Sequence, residues 1–283
     1  MGPEPGDVVV LVEATDPSRF GGKASQLAMA ARAGLPVPLG LALAWPLVGA
    51  VAAGDDRSAR LVAEACALEG PLVVRSSAVG EDSAQASFAG QHSSVLNVSG
   101  GAAVAEAVRE VWRSATAESA LAYRRRLGLP DTIRVGAVVQ RLVDADVAGV
   151  LFDVNPVTGA DEVVVESAWG LGEAVVSGIV MPDFFRLGPD GEVRERRPGV
   201  KEVELRRAPG GGTRSVTVDA DRARAPSLSD DDLRQLHALA RWCREVYGGS
   251  QDVEWAFAAG ELWLLQRRPL TVPPPGGRTE PGG

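Results

Sequence analysis

At residue 135 the apolar residues of this 283-residue chain change their spacing, and that change limits what the chain can fold into. Before it, Val104, Val108, Val111 and Trp112 recur at the interval that lines one face of a helix, predicted over roughly 102–126. A second helix is predicted over 25–33, closed by Gly34 and barred from continuing by Pro36 and Pro38. Short strands are expected at 8–11 and 72–75. After it, β-branched runs at 135–142, 147–152 and 162–166 are separated by turn signals, as strands are. The pattern predicts an α+β chain with one subdomain at 1–134 and a sheet-based one at 135–270. The tail at 271–283 is too rich in proline and glycine to pack and is expected to be disordered.

Turn residues organise the second half further. Strands at 183–187 and 191–193 flank Gly188-Pro189-Asp190 as a hairpin, and Gly210-Gly211-Gly212 mark an expected flexible surface insertion over 206–226. Ser229 is a predicted N-cap with Asp232 three residues on. It opens a helix whose Leu233, Leu236, Leu239 and Ala240 share a face, and Gly248-Gly249 end it. A last hairpin joins strands at 252–257 and 261–266 around Ala259-Gly260.

A 45% hydrophobic chain of this length can fill a core, and a net charge of -8 with a pI near 5.0 argues against nucleic acid as a partner. No apolar run is long enough to span a bilayer and no charged start leads into one, so the expected location is cytoplasmic, without a membrane partner. Cys66 and Cys243 lack metal-type spacing and are expected to be reduced, buried thiols. Lys23 and Lys201 are the only lysines; arginine supplies the other fixed positive charge. A lysine kept against that bias is a candidate for a role that needs a compact point charge.

Three clusters can carry chemistry. Gly21-Gly22-Lys23 open a helix, where backbone N–H groups and the dipole favour an anion; the same residues also suit an ordinary turn. Arg75-Ser76-Ser77 end a buried strand and lead through Glu81-Asp82 to Ser87-Phe88-Ala89-Gly90-Gln91, small residues that let amides approach a phosphate, or a solvated loop anchored by Phe88. In the last hairpin, alternation puts Asp252 and Glu254 on one face and Gln266 and Arg268 on one face of the next strand. A carboxylate and an amide oxygen suit Mg²⁺, and an arginine beside them suits phosphate; a surface Glu–Arg pair is the plainer alternative. Gly170-Leu171-Gly172-Glu173 lacks the third glycine of a dinucleotide loop, and His92 and His237 sit in no nucleophile motif.

In order and wording these segments resemble the ATP-binding domain shared by phosphoenolpyruvate synthase, pyruvate phosphate dikinase and rifampin phosphotransferase. Leu35-Pro36-Val37-Pro38, Asn97-Val98, Asn155-Pro156-Val157-Thr158-Gly159 and 169–173 add to the match, which covers most of the chain. The resemblance implies an ATP-grasp fold, two subdomains holding the nucleotide between them. It implies that Lys23, Arg75 and Arg268 contact the ATP phosphates and act in catalysis, that Ser87, Phe88, Ala89, Gly90 and Gln91 cap them, and that Glu254 and Gln266 hold Mg²⁺ with Asp252 in support. Gln140, Arg141, Leu142 and Val143 fall where the family binds adenine through backbone groups. Lys201 also matches a family pattern, with a surface role given equal weight. Asp153 stands where a threonine is usual, and the stretch over 46–71 is short for the family.

Members of the family pass the β-phosphoryl group of ATP to a histidine on a further domain. Neither that domain nor an acceptor domain is expected in this sequence, so the expected acceptor arrives in trans, as a separate phosphohistidine carrier protein or a small molecule. The chain is thus expected to be an ATP-dependent phosphotransferase. Two other readings stay open: a non-catalytic ATP-binding module, and an ATP-grasp ligase that forms an acyl phosphate.

Overall fold

The computed structural model describes residues 4, 6–66, 68–80, 94–126 and 133–270. The chain divides into two compact units, one of Met1–Val143 with Arg207–Arg214 and one of Asp144–Arg206 with Ser215–Gly283.

The first unit is built on β1 (Val8–Val10), α1 (Pro17–Phe20), α2 (Gly22–Arg32), β2 (Gly40–Leu43), α3 (Trp45–Ala52), α4 (Asp56–Ala65), β3 (Leu72–Ala78), β4 (Ser94–Val98), α5 (Gly101–Ala115), α6 (Glu118–Arg126) and β5 (Val135–Arg141). Its strands form a five-stranded antiparallel sheet in the order β1-β2-β5-β3-β4. On one face, Leu72 and Val74 of β3 and Ala137 and Val139 of β5 share a core with Leu47, Val48 and Val51 of α3 and Val104, Val108 and Val111 of α5. Strand alternation sends Val73, Arg75, Ser77 and Gln140 to the other face, where the start of α2 lies.

β5 finds its partners in β2 and β3, and the first compact unit runs on through Val143. The helix over 102–126 is two helices: the Thr116 hydroxyl donates back to the Trp112 carbonyl at 2.8 Å where the first ends.

The second unit comprises β6 (Val147–Phe152), β7 (Val163–Trp169), α7 (Glu173–Val176), β8 (Asp183–Leu187), β9 (Val193–Arg197), the hairpin of β10 (Val203–Arg207) and β11 (Thr213–Thr217), α8 (Ala220–Arg224), α9 (Asp230–Tyr247), β12 (Gln251–Ala258) and β13 (Glu261–Pro269). The tip of the β10–β11 hairpin is counted with the first unit. A six-stranded antiparallel sheet runs β13-β12-β6-β7-β8-β9. Val253, Leu151, Val165 and Phe185 lie opposite one another in register and are buried, as are Trp255 beside them and Leu233, Leu236 and Leu239 of α9, which packs on β12 and β6. Ser229 and Asp232 cap α9 reciprocally, Asp232 N–H to Ser229 Oγ at 3.2 Å and Ser229 N–H to Asp232 Oδ2 at 2.8 Å. The expected loose insertion over 206–226 is instead a hairpin followed by α8; Gly211 and Gly212, at φ +104° and +66°, form its tight turn.

Cys66 and Cys243 are free and buried, and burial pushes both thiols up to about 12. Among the described residues no helix is long and apolar enough to cross a membrane.

Candidate nucleotide site

In the first unit the site begins with a glycine. Gly21 precedes α2 at φ +84°, and a Cβ there would stand 1.9 Å from the Ser77 carbonyl oxygen, so only glycine lets the helix start so close to β3. The Ser77 hydroxyl accepts the Ala24 N–H at 3.0 Å. That amide, expected to be free for an anion, is therefore already satisfied. The side chain of Lys23, in the first turn of α2, is 6% exposed. Arg75 is on the Ser77 face of β3, so Lys23 and Arg75 belong to the same side of the first sheet. The positive end of the α2 dipole adds to their charge.

Gln140 lies opposite Val73 in register and looks to that same side, where its Nε2 donates to the Pro38 carbonyl at 3.0 Å. The next two amides are also occupied: Arg141 N–H goes to Leu39 and Leu142 N–H to Pro71, both at 2.9 Å. In the stretch 140–143, expected to bind adenine through backbone groups, the Val143 N–H meets no acceptor among the described residues. Ser87, Phe88, Ala89, Gly90 and Gln91 lie outside the described residues, as do Glu81, Asp82, His92 and the tail over 271–283.

In the second unit the predicted facing of the last hairpin is what the ladder shows. Val253 and Trp255 are fully buried, which leaves Asp252 and Glu254 to the other face. Glu254 pairs with Gln266 across the strands, and Asp252 with Arg268. Arg268 Nη2 donates to Glu254 Oε1 at 2.8 Å, with the two side chains 17% and 20% exposed. With its amide oxygen turned toward Arg268, Gln266 accepts from Nε and Nη2 at 2.7 Å each. A carboxylate oxygen and an amide oxygen thus stand together around one guanidinium. They are hard donors of the kind Mg²⁺ accepts alongside waters and phosphate oxygens, so these residues fit that ion.

Comparison with known families matches residues 55–279 to the one described as pyruvate phosphate dikinase, AMP/ATP-binding domain. The chain belongs to that family. It is 40% identical over 286 residues to the prodigiosin synthesizing transferase PigC of Serratia marcescens, covering 91% of this chain and 32% of that protein. It is 42% identical over 201 residues to a rifampicin phosphotransferase of Streptomyces sviceus, covering 70% and 23% of the two. It is 39% identical over 204 residues to a probable phosphoenolpyruvate synthase of Methanocaldococcus jannaschii, covering 71% and 17%. The chain spans less than a third of the length of these curated relatives. As a member of this ATP-using phosphotransferase family it has an α+β fold of the ATP-grasp type.

Other residues of this ATP-binding domain stand apart from the expectations. Lys201 has no surface role: it is 0% exposed and its Nζ meets Asp183 Oδ1 at 2.5 Å. Asp153 is 1% exposed; burial raises its carboxyl above the usual range, against the pull of the Gln251 N–H and Arg244. Glu166 is not among the expected site residues. It lies opposite Val150, which in turn lies opposite Glu254, so the two carboxylates share a face two strands apart. A single acid inside the apolar run of β7 is the signal that could have found it.

Proposed function

We propose that the chain binds Mg-ATP, with Lys23, Arg75, Glu254, Gln266 and Arg268 as the candidate contacts, and transfers a phosphoryl group to an acceptor outside this fold. The observation that carries the proposal is the trio on the last hairpin, where a cation and two oxygen donors hold one another at 2.7–2.8 Å while still reachable by solvent.

Arg268 neutralises Glu254 when no nucleotide is bound. Its planar fork is equally suited to phosphate oxygens, which would release Glu254 and the Gln266 amide oxygen to the ion. Lys23 delivers a point charge at the start of a helix, where a phosphate is favoured twice over, by the ammonium and by the dipole. Arg75 adds a second fork on the same side. When bound, Mg²⁺ supplies charge neutralisation for the phosphoryl group in transfer. Catalysis of this kind is mostly positioning and electrostatics, and the side chains named are those able to provide them. The Val143 N–H is the backbone donor proposed for the base. The acceptor is a histidine on another domain or carrier protein, or a small molecule.

Calorimetry with Mg-ATP, and phosphorus NMR of turnover in the presence of candidate acceptors, test the proposal. Glu254→Ala should weaken Mg-dependent nucleotide binding and abolish turnover; unchanged activity would remove the metal assignment. Formation of AMP supports a dikinase-type transfer, whereas ADP with an acyl phosphate points to a ligase.

A further inference from the structure

The side chains assigned to Mg-ATP occupy one short piece of ladder, and the inference drawn here rests on that assignment. On one side a bulge between Glu254 and Trp255 interrupts the β12–β13 register. On the other the ladder ends at Gln251–Pro269, where proline has no N–H to donate. The pairs Asp252–Arg268, Val253–Arg267 and Glu254–Gln266 lie between these two weak points. A slip of β13 by one residue there would turn the Gln266 and Arg268 side chains toward the core, away from Glu254, which the pairing of β12 with β6 keeps in place. We propose that a buried clasp of Asp153, Gln251 and Arg267 fixes this register and so positions Glu254, Gln266 and Arg268 for the nucleotide.

Asp153 follows the end of β6 and binds Gln251 twice. Its Oδ1 accepts the Gln251 N–H at 2.7 Å, and its own N–H donates to the Gln251 carbonyl at 3.1 Å. The Gln251 Nε2 donates to the carbonyls of Gly248 and Gly249 at 2.5 and 3.0 Å, which fixes the amide so that Oε1 accepts from Arg267 Nε. Arg267 lies between Gln266 and Arg268 in sequence but on the opposite face of β13. It is 7% exposed, with its guanidinium 4.2 Å from the centre of the Tyr247 ring. Arg244 closes the clasp from the solvent side, Nε to Asp153 Oδ2 at 3.1 Å and Nη2 to the Asp153 carbonyl oxygen. Asp153 and Gln251 are 1% and 0% exposed, so water cannot stand in for a lost partner. None of the three lies on the face assigned to the nucleotide; they are positioning residues.

Two variants of the full chain test this. Arg267→Met keeps the stem over Tyr247 and removes the donor; Asp153→Asn keeps an oxygen for the Gln251 N–H and removes the charge. Amide exchange is followed without nucleotide at 251–254 and 266–268, and Mn²⁺-ATP affinity is then measured by electron paramagnetic resonance. In Arg267→Met, exchange should quicken in those two stretches but not in β7 or β8, and Mn²⁺-ATP affinity should fall about 10- to 100-fold. Asp153→Asn should change both in the same direction by less. Wild-type exchange rates in folded Arg267→Met would overturn the clasp while leaving the nucleotide assignment intact. Faster exchange with undiminished affinity would overturn its positioning role. A wild-type protein that takes up no Mn²⁺-ATP would remove the assignment itself, and with it the role, whatever the exchange rates. Should Arg267→Met not fold, Arg267→Lys and Asp153→Asn carry the same measurements.

Discussion

The second sheet holds a lysine–aspartate pair on one face and an arginine–glutamate pair on the other, and the two differ in what else their atoms can do. Asp183 and Lys201 meet at 2.5 Å with both side chains 0% exposed. The Asp183 carboxylate is also filled by the Gly199 N–H, the Ser227 N–H and the Ser227 hydroxyl, each at 2.7 Å. No ligand can replace any of these partners without opening the core. Glu254 and Arg268 meet at 2.8 Å with about a fifth of each side chain in solvent, and the Gln266 amide oxygen lies beside Arg268. These groups can trade one another for a phosphate and a cation at little cost. Burial and saturation, not the kind of charge, separate a pair that holds the fold from a pair that can work.

The largest test of that separation removes one partner of the buried pair. Lys201→Met leaves a carboxylate uncompensated in the core and should cost about 3–5 kcal/mol of stability. Urea unfolding followed by circular dichroism measures it. The fraction still folded should keep its Mg-ATP affinity. Loss of nucleotide binding in a variant of normal stability would break the comparison, because it would give the buried pair a working role.

Arg268→Ala is the mirror experiment. A half-open pair contributes on the order of 0–1 kcal/mol to stability, so the melting temperature should barely move. If Arg268 acts on the transferring group, kcat/KM should drop by on the order of 2–4 kcal/mol in transition-state stabilisation. A wild-type rate would place this arginine outside the reaction, and a large fall in melting temperature would move it to the structural kind.

How far the sequence alone reaches follows the same division. The polar face of the last hairpin is readable because it depends on local period: alternation around Val253 and Trp255 fixes where Asp252 and Glu254 point, and the mate strand follows. The Ser229–Asp232 cap is readable for the same reason, three residues apart on one turn. The burial of Lys201 is not, since its partner is 18 residues away and its environment comes from β8 and the segment before α9. Nor is the place of β5: its strand character is local, but its partners, β2 and β3, are far back in the chain. The hydrogen bonding of the 140–143 stretch is equally non-local, because the amides of Arg141 and Leu142 are taken by carbonyls at 39 and 71. Gly210-Gly211-Gly212 mislead in the other direction, as glycine there serves a tight turn and not looseness.

The smallest effect concerns a carboxylate between the two kinds, buried itself but with an exposed partner. Asp153 is 1% exposed and Arg244 42%. Burial raises the Asp153 carboxyl, and the Gln251 N–H and Arg244 pull against it without prevailing. The folded state therefore holds this proton more tightly than the unfolded chain does. By linkage, the stability Asp153 contributes is greatest below its ordinary value of 3.8 and is lost as pH rises through the raised one. The difference in unfolding free energy between wild type and Asp153→Asn should accordingly fall with rising pH across that window and level off toward neutrality. Urea titrations of both proteins from acid to neutral pH measure it. A difference that grows with pH would mean that an exposed arginine outweighs burial, and Asp153 would then belong with Glu254 rather than with Asp183.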